Sequence, residues 1–373
     1  MAMINLSKEA TVGKALTPIA ILMMLSFPVA SQAAGLVIKN GTVYNANGVP
    51  VVDINKPNGS GLSHNIWDNL NVDKNGVVFN NSANESSTSL AGNIQGNSNL
   101  TSGSAKVILN EVTSKNPSTI NGMMEVAGDK ADLIIANPNG ITVNGGGSIN
   151  TGKLTLTTGT PDIQDDKLAG YSVNGGTITL GKLDNASPTE ILSRNVVVNG
   201  KVSADELNVV AGNNYVNAAG QVTGSVSATG SRNGYSVDVA KLGGMYANKI
   251  SLVSTEKGVG VRNLGVIAGG VNGVSIDSKG NLLNSNAQIQ SASTINLTTN
   301  GTLDNTTGTV TSVGTISLNT NKNTIVNTRA GNISTMGDIY VNSGTIDNTN
   351  GKLAAAGMLA VDTNKAQLIN SGK

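Results

Sequence analysis

Hydrophobic and polar positions alternate with a period of two through most of this chain, in short runs bounded by glycine and asparagine. Leu36 to Ile38 and Thr42 to Tyr44 come first. A turn-rich stretch from Gly48 to Leu62 follows, and then a dense apolar group of Trp67, Leu70, Val72, Val77, Val78 and Phe79. Further alternating runs cover residues 106–109, 132–135, 140–143, 153–156, 177–180 and 195–198. Alternation puts successive side chains on opposite faces and predicts β-strands. A helical period of 3.6 is not sustained beyond the first 30 residues. Two polar stretches, Pro161 to Ala169 and Asp184 to Thr189, are expected to be loops that leave the strand array.

Toward the C-terminus the pattern becomes a repeat. Asn284, Asn305, Asn327, Asn348 and Asn370 stand 21, 22, 21 and 22 residues apart. A second phrase keeps step with them: Thr294 to Leu297, Thr315 to Leu318, Asp338 to Val341, Met358 to Val361. A unit of about 20 residues that repeats with strand-like alternation defines a β-solenoid. Each coil is expected to hold two or three short strands, with inward Val, Ile and Leu stacking about 4.8 Å apart. About 340 residues at about 21 per coil predict roughly 16 coils. The repeated Asn is expected to form a ladder of side-chain amides, because an unpaired buried amide costs about 1–3 kcal/mol. Residues 36–80 are expected to cap the N-terminal end, where open strand edges need cover. The repeat breaks off at Ser371-Gly372-Lys373, as in a fragment of a longer protein.

Composition then removes function classes. Charged residues make up 13% of the 373 and the net charge is +1, so nothing marks a nucleic-acid partner. Cysteine is absent, which excludes disulfides and thiolate metal sites. At the N-terminus Lys8 and Lys14 precede an apolar stretch from Leu16 to Ala30, and Ser31-Gln32-Ala33 offers small residues for cleavage after Ala33. This is the pattern of a signal peptide over residues 1–33. The stretch falls short of the ~20 residues needed to span a bilayer.

The sharpest local signal is Asn137-Pro138-Asn139-Gly140-Ile141, with Pro, Asn and Gly in the order a β-turn uses them. Turn chemistry alone makes it a corner of the solenoid. It also resembles the NPNGI signature of the haemagglutination-activity, or TPS, domain of two-partner secretion exoproteins. Asn110-Glu111-Val112-Thr113-Ser114, with Asn116-Pro117 behind it, resembles a second phrase of that domain. Ser63-His64-Asn65 with Phe79-Asn80-Asn81 resembles a third. Gly234 to Asp238, Leu242 to Ile250 and Thr255 to Val261 resemble a segment of filamentous haemagglutinin and contact-dependent inhibition exoproteins. Some members carry a Cys-x-x-Cys pair after the signature. Val143 and Gly146 stand at those places here, so the local disulfide is missing.

The resemblance implies an all-β, right-handed parallel β-helix (solenoid) with an N-terminal cap and excursion loops or hairpins. It implies a secretion domain over residues 34–270 and the start of filamentous repeats over 271–373. It implies a partner: the POTRA domains of an outer-membrane β-barrel transporter of the TpsB type. Asn137, Pro138, Asn139, Gly140, Ile141, Asn110, Asn116 and Pro117 are the recognition residues it suggests. The longer protein would bind a receptor on a host or neighbouring cell after secretion to the bacterial surface. A monomer, no cofactor and no catalysis are expected.

The alternative on the same fold is a polysaccharide lyase or hydrolase, which would need Asp, Arg or Lys clustered on one face of successive coils. His64, the sole histidine, reads as a turn or surface residue and cannot build a His-bearing metal cluster by itself. Asp165-Asp166 reads as solvated loop in place of an acid/base or Ca²⁺ pair. Gly145 to Gly147 and Gly258 to Gly260 lack the helix and Lys of a phosphate loop.

Overall fold

Stacked strands settle the architecture. The computed structural model describes residues 35–229 and 234–372, so the expected signal peptide over residues 1–33, with cleavage after Ala33, lies outside the described residues. One ladder is followed by its interior column Ser63, Ile108, Leu133, Leu154, Thr189, Leu207, Ile250, Val274, Ile295, Ile316, Ile339 and Leu359. Every step is a parallel pairing. The ladder has twelve rungs, fewer than the 16 expected, because long excursions use residues that add no coil.

In the C-terminal repeats each coil has three strands. Ile295–Thr299, Leu303–Asp304 and Thr309–Ser312 are one such set. Three is the upper of the two numbers expected, and the sequence pattern does not mark the third strand. It carries one inward aliphatic residue, such as Val310, and then an inward Ser or Thr such as Ser312. Inward aliphatic side chains from Leu36 to Ile346 join in one continuous core, while Leu359, Val361 and Leu368 of the last coil are exposed. The expected ladder is present: each Nδ2 of Asn284, Asn305, Asn327 and Asn348 donates to the Oδ1 of the next, at 2.7, 2.8, 2.7 and 2.8 Å. Asn263 adds an earlier rung at 2.8 Å.

The N-terminal edges are covered as the cap assignment requires. Leu36–Ile38 pairs antiparallel with Leu62–Leu70. The stretch expected to be turns contains a buried strand, Val49–Asp53, antiparallel to Thr42–Ala46 and parallel to Val77–Asn81. Its hairpin turns at Asn47-Gly48, with φ of 52° and 84°. Asn-Gly is the pair that a two-residue hairpin loop selects. Phe79-Asn80-Asn81 then fastens the segment 82–106. The Nδ2 of Asn80 donates to the carbonyl of Gln95 at 2.9 Å, and that of Asn81 to the carbonyl of Ala105 at 2.9 Å.

The expected loop from Pro161 to Ala169 is a hairpin, Thr160–Gln164 with Lys167–Val173. Asp165 and Asp166 form its exposed tip at φ 48° and 61°. With Asn214–Asn217 and Val222–Ser225 it makes a four-stranded antiparallel sheet. This sheet lies on the outside of the helix: Tyr171, Val173 and Val216 pack on outward Leu109, Ile134, Leu192 and Val210. The residues 184–189 form an ordinary corner, closed by Asn185, which donates to Thr189 Oγ1 at 2.8 Å.

Two tyrosines are held in this framework. Burial, helped by Asp53, pushes Tyr44 up to about 12. Burial, helped by Glu190 and Asp132, pushes Tyr171 up further. A folded value above the unfolded one means that the native state keeps a proton the unfolded chain has lost. The stabilisation is therefore whole below about pH 10 and is lost as pH rises toward the folded values. In an alkaline titration followed at the phenolate absorbance, Tyr44 and Tyr171 should ionise last and together with unfolding. The Tyr171→Phe variant should unfold at a higher pH than wild type; an unchanged midpoint would refute the linkage.

Candidate functional site

The NPNGI corner is built where the strand Ala131–Ala136 ends. The Gly140 N–H donates to the Asn137 carbonyl at 3.1 Å and closes a β-turn. Gly140 has φ 112°, a value that disfavours any side chain. Asn137 Oδ1 accepts from the backbone N–H of Asn139 at 3.0 Å, an Asx-turn. Its Nδ2 donates to the Asn116 carbonyl and to Ser118 Oγ, both at 2.9 Å. Asn139 Nδ2 reaches the Ser114 carbonyl at 2.8 Å, and Asn116 Nδ2 reaches Asn69 Oδ1 at 2.6 Å. Three successive coils are thus tied at one corner.

Exposure divides the residues. Asn137, Gly140 and Ile141 are buried and Pro138 is half-buried; Asn116, Pro117 and Asn139 are exposed. The column above Asn137 explains its burial. Continuing the register gives Thr158, Ser193, Ala211, Ser254, Ser278 and Thr299 at the same place in later coils. All are buried. Asn137 is the largest polar member of this inward corner column and serves the fold.

Asn110 is not at this corner. It stands in an interior column with Asn65 below and Ile135 above, where later coils carry Leu156, Ile191 and Val209. Its Oδ1 accepts from Trp67 Nε1 at 3.1 Å and its Nδ2 donates to the Ile134 carbonyl at 3.3 Å. The phrase containing Asn110 and the Asn116-Pro117 pair therefore has two separate tasks. His64 is on a strand and not in a turn, with Nε2 2.8 Å from Glu111 Oε2.

Some residues that hold the domain together gave no local signal. Arg194 is buried and makes a two-pronged contact with Glu256, at 2.8 and 3.4 Å, while its Nη1 donates to the Thr229 carbonyl at 2.9 Å. Arg262 grips Asp238 with bonds of 2.9 and 2.7 Å and lies 4.6 Å from the centre of the Tyr235 ring. The Tyr235 to Asp238 phrase therefore needs Arg262 to complete it. Lys153 and Glu190 pair at 2.9 Å beneath the outer sheet. No group of three or more His, Cys, Asp or Glu arranged to hold a metal occurs among the described residues.

Comparison with known proteins places this geometry. Residues 29–284 match the TPS secretion domain family. A toxin CdiA of Yersinia pestis is 45% identical over 258 residues, 68% of this chain and 8% of that protein. A 16S rRNA endonuclease CdiA of Enterobacter cloacae is 44% identical over 257 residues, 67% of this chain and 8% of that protein. A crystal structure of a filamentous haemagglutinin secretion domain superposes with a TM-score of 0.62 at 30% identity, covering 88% of this chain and all of that one. The fold and corner define a β-helical secretion domain. The chain belongs to the TPS secretion domain family. Membership carries a partner, an outer-membrane transporter of the TpsB type, through which such exoproteins reach the cell surface. The chain spans less than a tenth of the length of these curated relatives.

Proposed function

We propose that this chain is the N-terminal address of a long exoprotein that delivers an adhesin or a contact-dependent toxin to the bacterial surface. The POTRA domains of the transporter read it in the periplasm through the segment containing Asn116, Pro117 and Asn137 to Ile141. The chain then threads through the barrel and folds outside. The matched relatives, named as CdiA toxins and nucleases, support the delivery reading; the sequence they share with this chain is confined to a small part of each. Each new coil buries apolar surface on the one before, worth about 25 cal/mol per Å², which draws the chain outward without ATP.

The observation that carries the address reading is that two motifs meet at one corner and divide there into buried and exposed residues. Asn116, Pro117 and Asn139 are exposed in the folded domain, so a change there alters the recognised segment and spares the core. Asn116→Ala and Asn139→Ala should lower secretion at least several-fold while stability stays within about 1 kcal/mol of wild type. Asn137→Ala should lower both, with stability falling by about 2 kcal/mol as its buried partners go unpaired. Secretion of the exposed variants at wild-type level, measured in culture supernatant with the cognate transporter, would reject the address reading.

The lyase or hydrolase alternative asks for charged side chains converging on one face. Three of the seven ion pairs among the described residues, Arg194 with Glu256, Arg262 with Asp238 and Lys153 with Glu190, bind one coil to another. That geometry favours the non-enzymatic reading.

A further inference from the structure

Among the described residues the four-stranded outer sheet ends in two edges, and they are built differently. One edge strand, Thr160–Gln164, carries Pro161, which has no N–H to offer, and Asp162; its hairpin tip is Asp165-Asp166. Proline and charge are what keep a further strand from joining a sheet. The other edge strand, Val222–Ser225, has neither. From Gln221 to Thr229 the sequence is uncharged and free of proline, and Gln221 to Ser225 are all exposed. A bulge at Thr223 twists the strand. Beyond it the pairing resumes, and Val226 donates its N–H to the Asn213 carbonyl at 3.3 Å. Successive residues of a strand turn their backbone groups to opposite sides, so the N–H and carbonyl of Ser225 point away from the sheet.

The side chains show a place left beside this strand. Val222 pairs with Val216 and so stands on the same face of the sheet, the one turned toward the helix. Val216 is fully buried there, whereas Val222 is 40% exposed. The cause is a groove of about 600 Å³ between Val222 and the outward face of the helix, lined by Asn208, Ser251 and Val253 and by the side chains of Glu206 and Lys249. Val253 is itself only partly buried against the core under the outer sheet. One coil further on, its column carries Asp277, paired with Lys279 at 2.9 Å. The uncovered apolar column is thus one rung deep, which matches a single added strand.

The chemistry of the edge identifies the occupant. A polypeptide backbone supplies alternate N–H and C=O groups at strand spacing, and a groove beside the edge takes one of every two side chains. We propose that Val222–Ser225 is a docking edge for an extended peptide segment of another protein. The segment adds as a fifth strand of the outer sheet and turns an aliphatic side chain into the groove, against Val222 and Val253. The edge exists only once the outer sheet has formed. This surface therefore acts on the folded domain and stands apart from the address reading.

The probe is a heptapeptide of alternating valine and threonine with a lysine at each end for solubility. Added to the purified chain at up to about 1 mM, a range set by the weak end of protein affinities, it should slow amide exchange at Ser225 several-fold and shift the methyl resonances of Val222 and Val253. Ser225→Pro removes the outward N–H and keeps the bond from Val226 to Asn213. Val222→Lys sets a charge in the groove. Each variant should abolish both effects at an unchanged melting temperature. The fully N-methylated peptide keeps the side chains, loses every backbone donor and should not bind. Unchanged exchange at Ser225, binding that survives both variants, or equal binding of the N-methylated peptide would each overturn the proposal. So would a wild type that dimerises in sedimentation without peptide while Ser225→Pro stays monomeric, which would give the edge to a second copy.

Discussion

Replacing Arg194 by Met should destabilise the domain by about 3–5 kcal/mol, because it strands a carboxylate that the fold has taken out of water. The guanidinium and its partner Glu256 are 6% and 14% exposed. Arg194 sits between the strands Thr189–Ser193 and Asn195–Val198, at the corner column that begins with Asn137. Glu256 follows the strand Gly244–Ser254, two rungs further on. The bond to the Thr229 carbonyl brings in the segment that follows the outer antiparallel sheet. One side chain thus joins two levels of the helix and the segment that wraps its outside. Urea unfolding should show the loss, and hydrogen exchange should show it concentrated in residues 214–225. Replacing both partners, Arg194→Met with Glu256→Met, should recover much of the stability, since a well-packed apolar pair can stand in for a buried ion pair. A loss below about 1 kcal/mol in the single variant would mean that water reaches Glu256 and that the pair is a surface one.

What could be read from the residues alone follows from how each structural device repeats. The asparagine ladder was legible because it places one identical residue in phase in every coil. The strands Ile295–Thr299 and Ile316–Asn319 were legible because each turns two aliphatic side chains inward, Ile295 with Leu297 and Ile316 with Leu318. The third strand of each coil was not, since its second inward residue is Ser291, Ser312 or Thr335 and breaks the apolar alternation. Val49–Asp53 was lost among the turn residues around it, although Asn47-Gly48 marked its hairpin.

The outer sheet was hidden for a different reason. Its apolar residues, Tyr171, Val173 and Val216, cover the outside of a sheet whose inside is already the core, and a period of two does not tell which face is covered. At the candidate site the turn was legible from Pro138 and Gly140, but the buried state of Asn137 was not, because it depends on the coils stacked above and below. Asn110 was grouped with the corner by its nearness to Asn116 in sequence; the strand Val107–Val112 carries it into the interior instead. Arg194 and Glu256 lie 62 residues apart, beyond the reach of any local pattern.

The asparagine ladder sets the second large effect, which should depend on position and not only on chemistry. Asn305 is fully buried. Its Oδ1 accepts from Asn284 at 2.7 Å, and its Nδ2 donates to Asn327 Oδ1 at 2.8 Å and to the carbonyl of Gly308 at 3.1 Å. Leucine fills a similar volume but leaves the amide of Asn284, the Oδ1 of Asn327 and the Gly308 carbonyl with a partner missing. At about 1–3 kcal/mol for each unsatisfied group, partly relieved by their remaining bonds, Asn305→Leu should cost on the order of 3–5 kcal/mol. In a solenoid stability is a sum of coil and nearest-neighbour terms, so this loss falls on the interfaces either side of one coil. Unfolding should split into two transitions. Residues beyond about 303 should lose exchange protection first, while those from 62 to 278 keep theirs. Asn370 occupies the same place in the repeat but is exposed and receives one ladder bond, from Asn348 at 2.8 Å. Asn370→Leu should therefore cost less than about 1 kcal/mol. Equal losses at the two positions, or a single shared transition in Asn305→Leu, would show that the ladder adds nothing to the coupling between coils and that apolar stacking carries it alone.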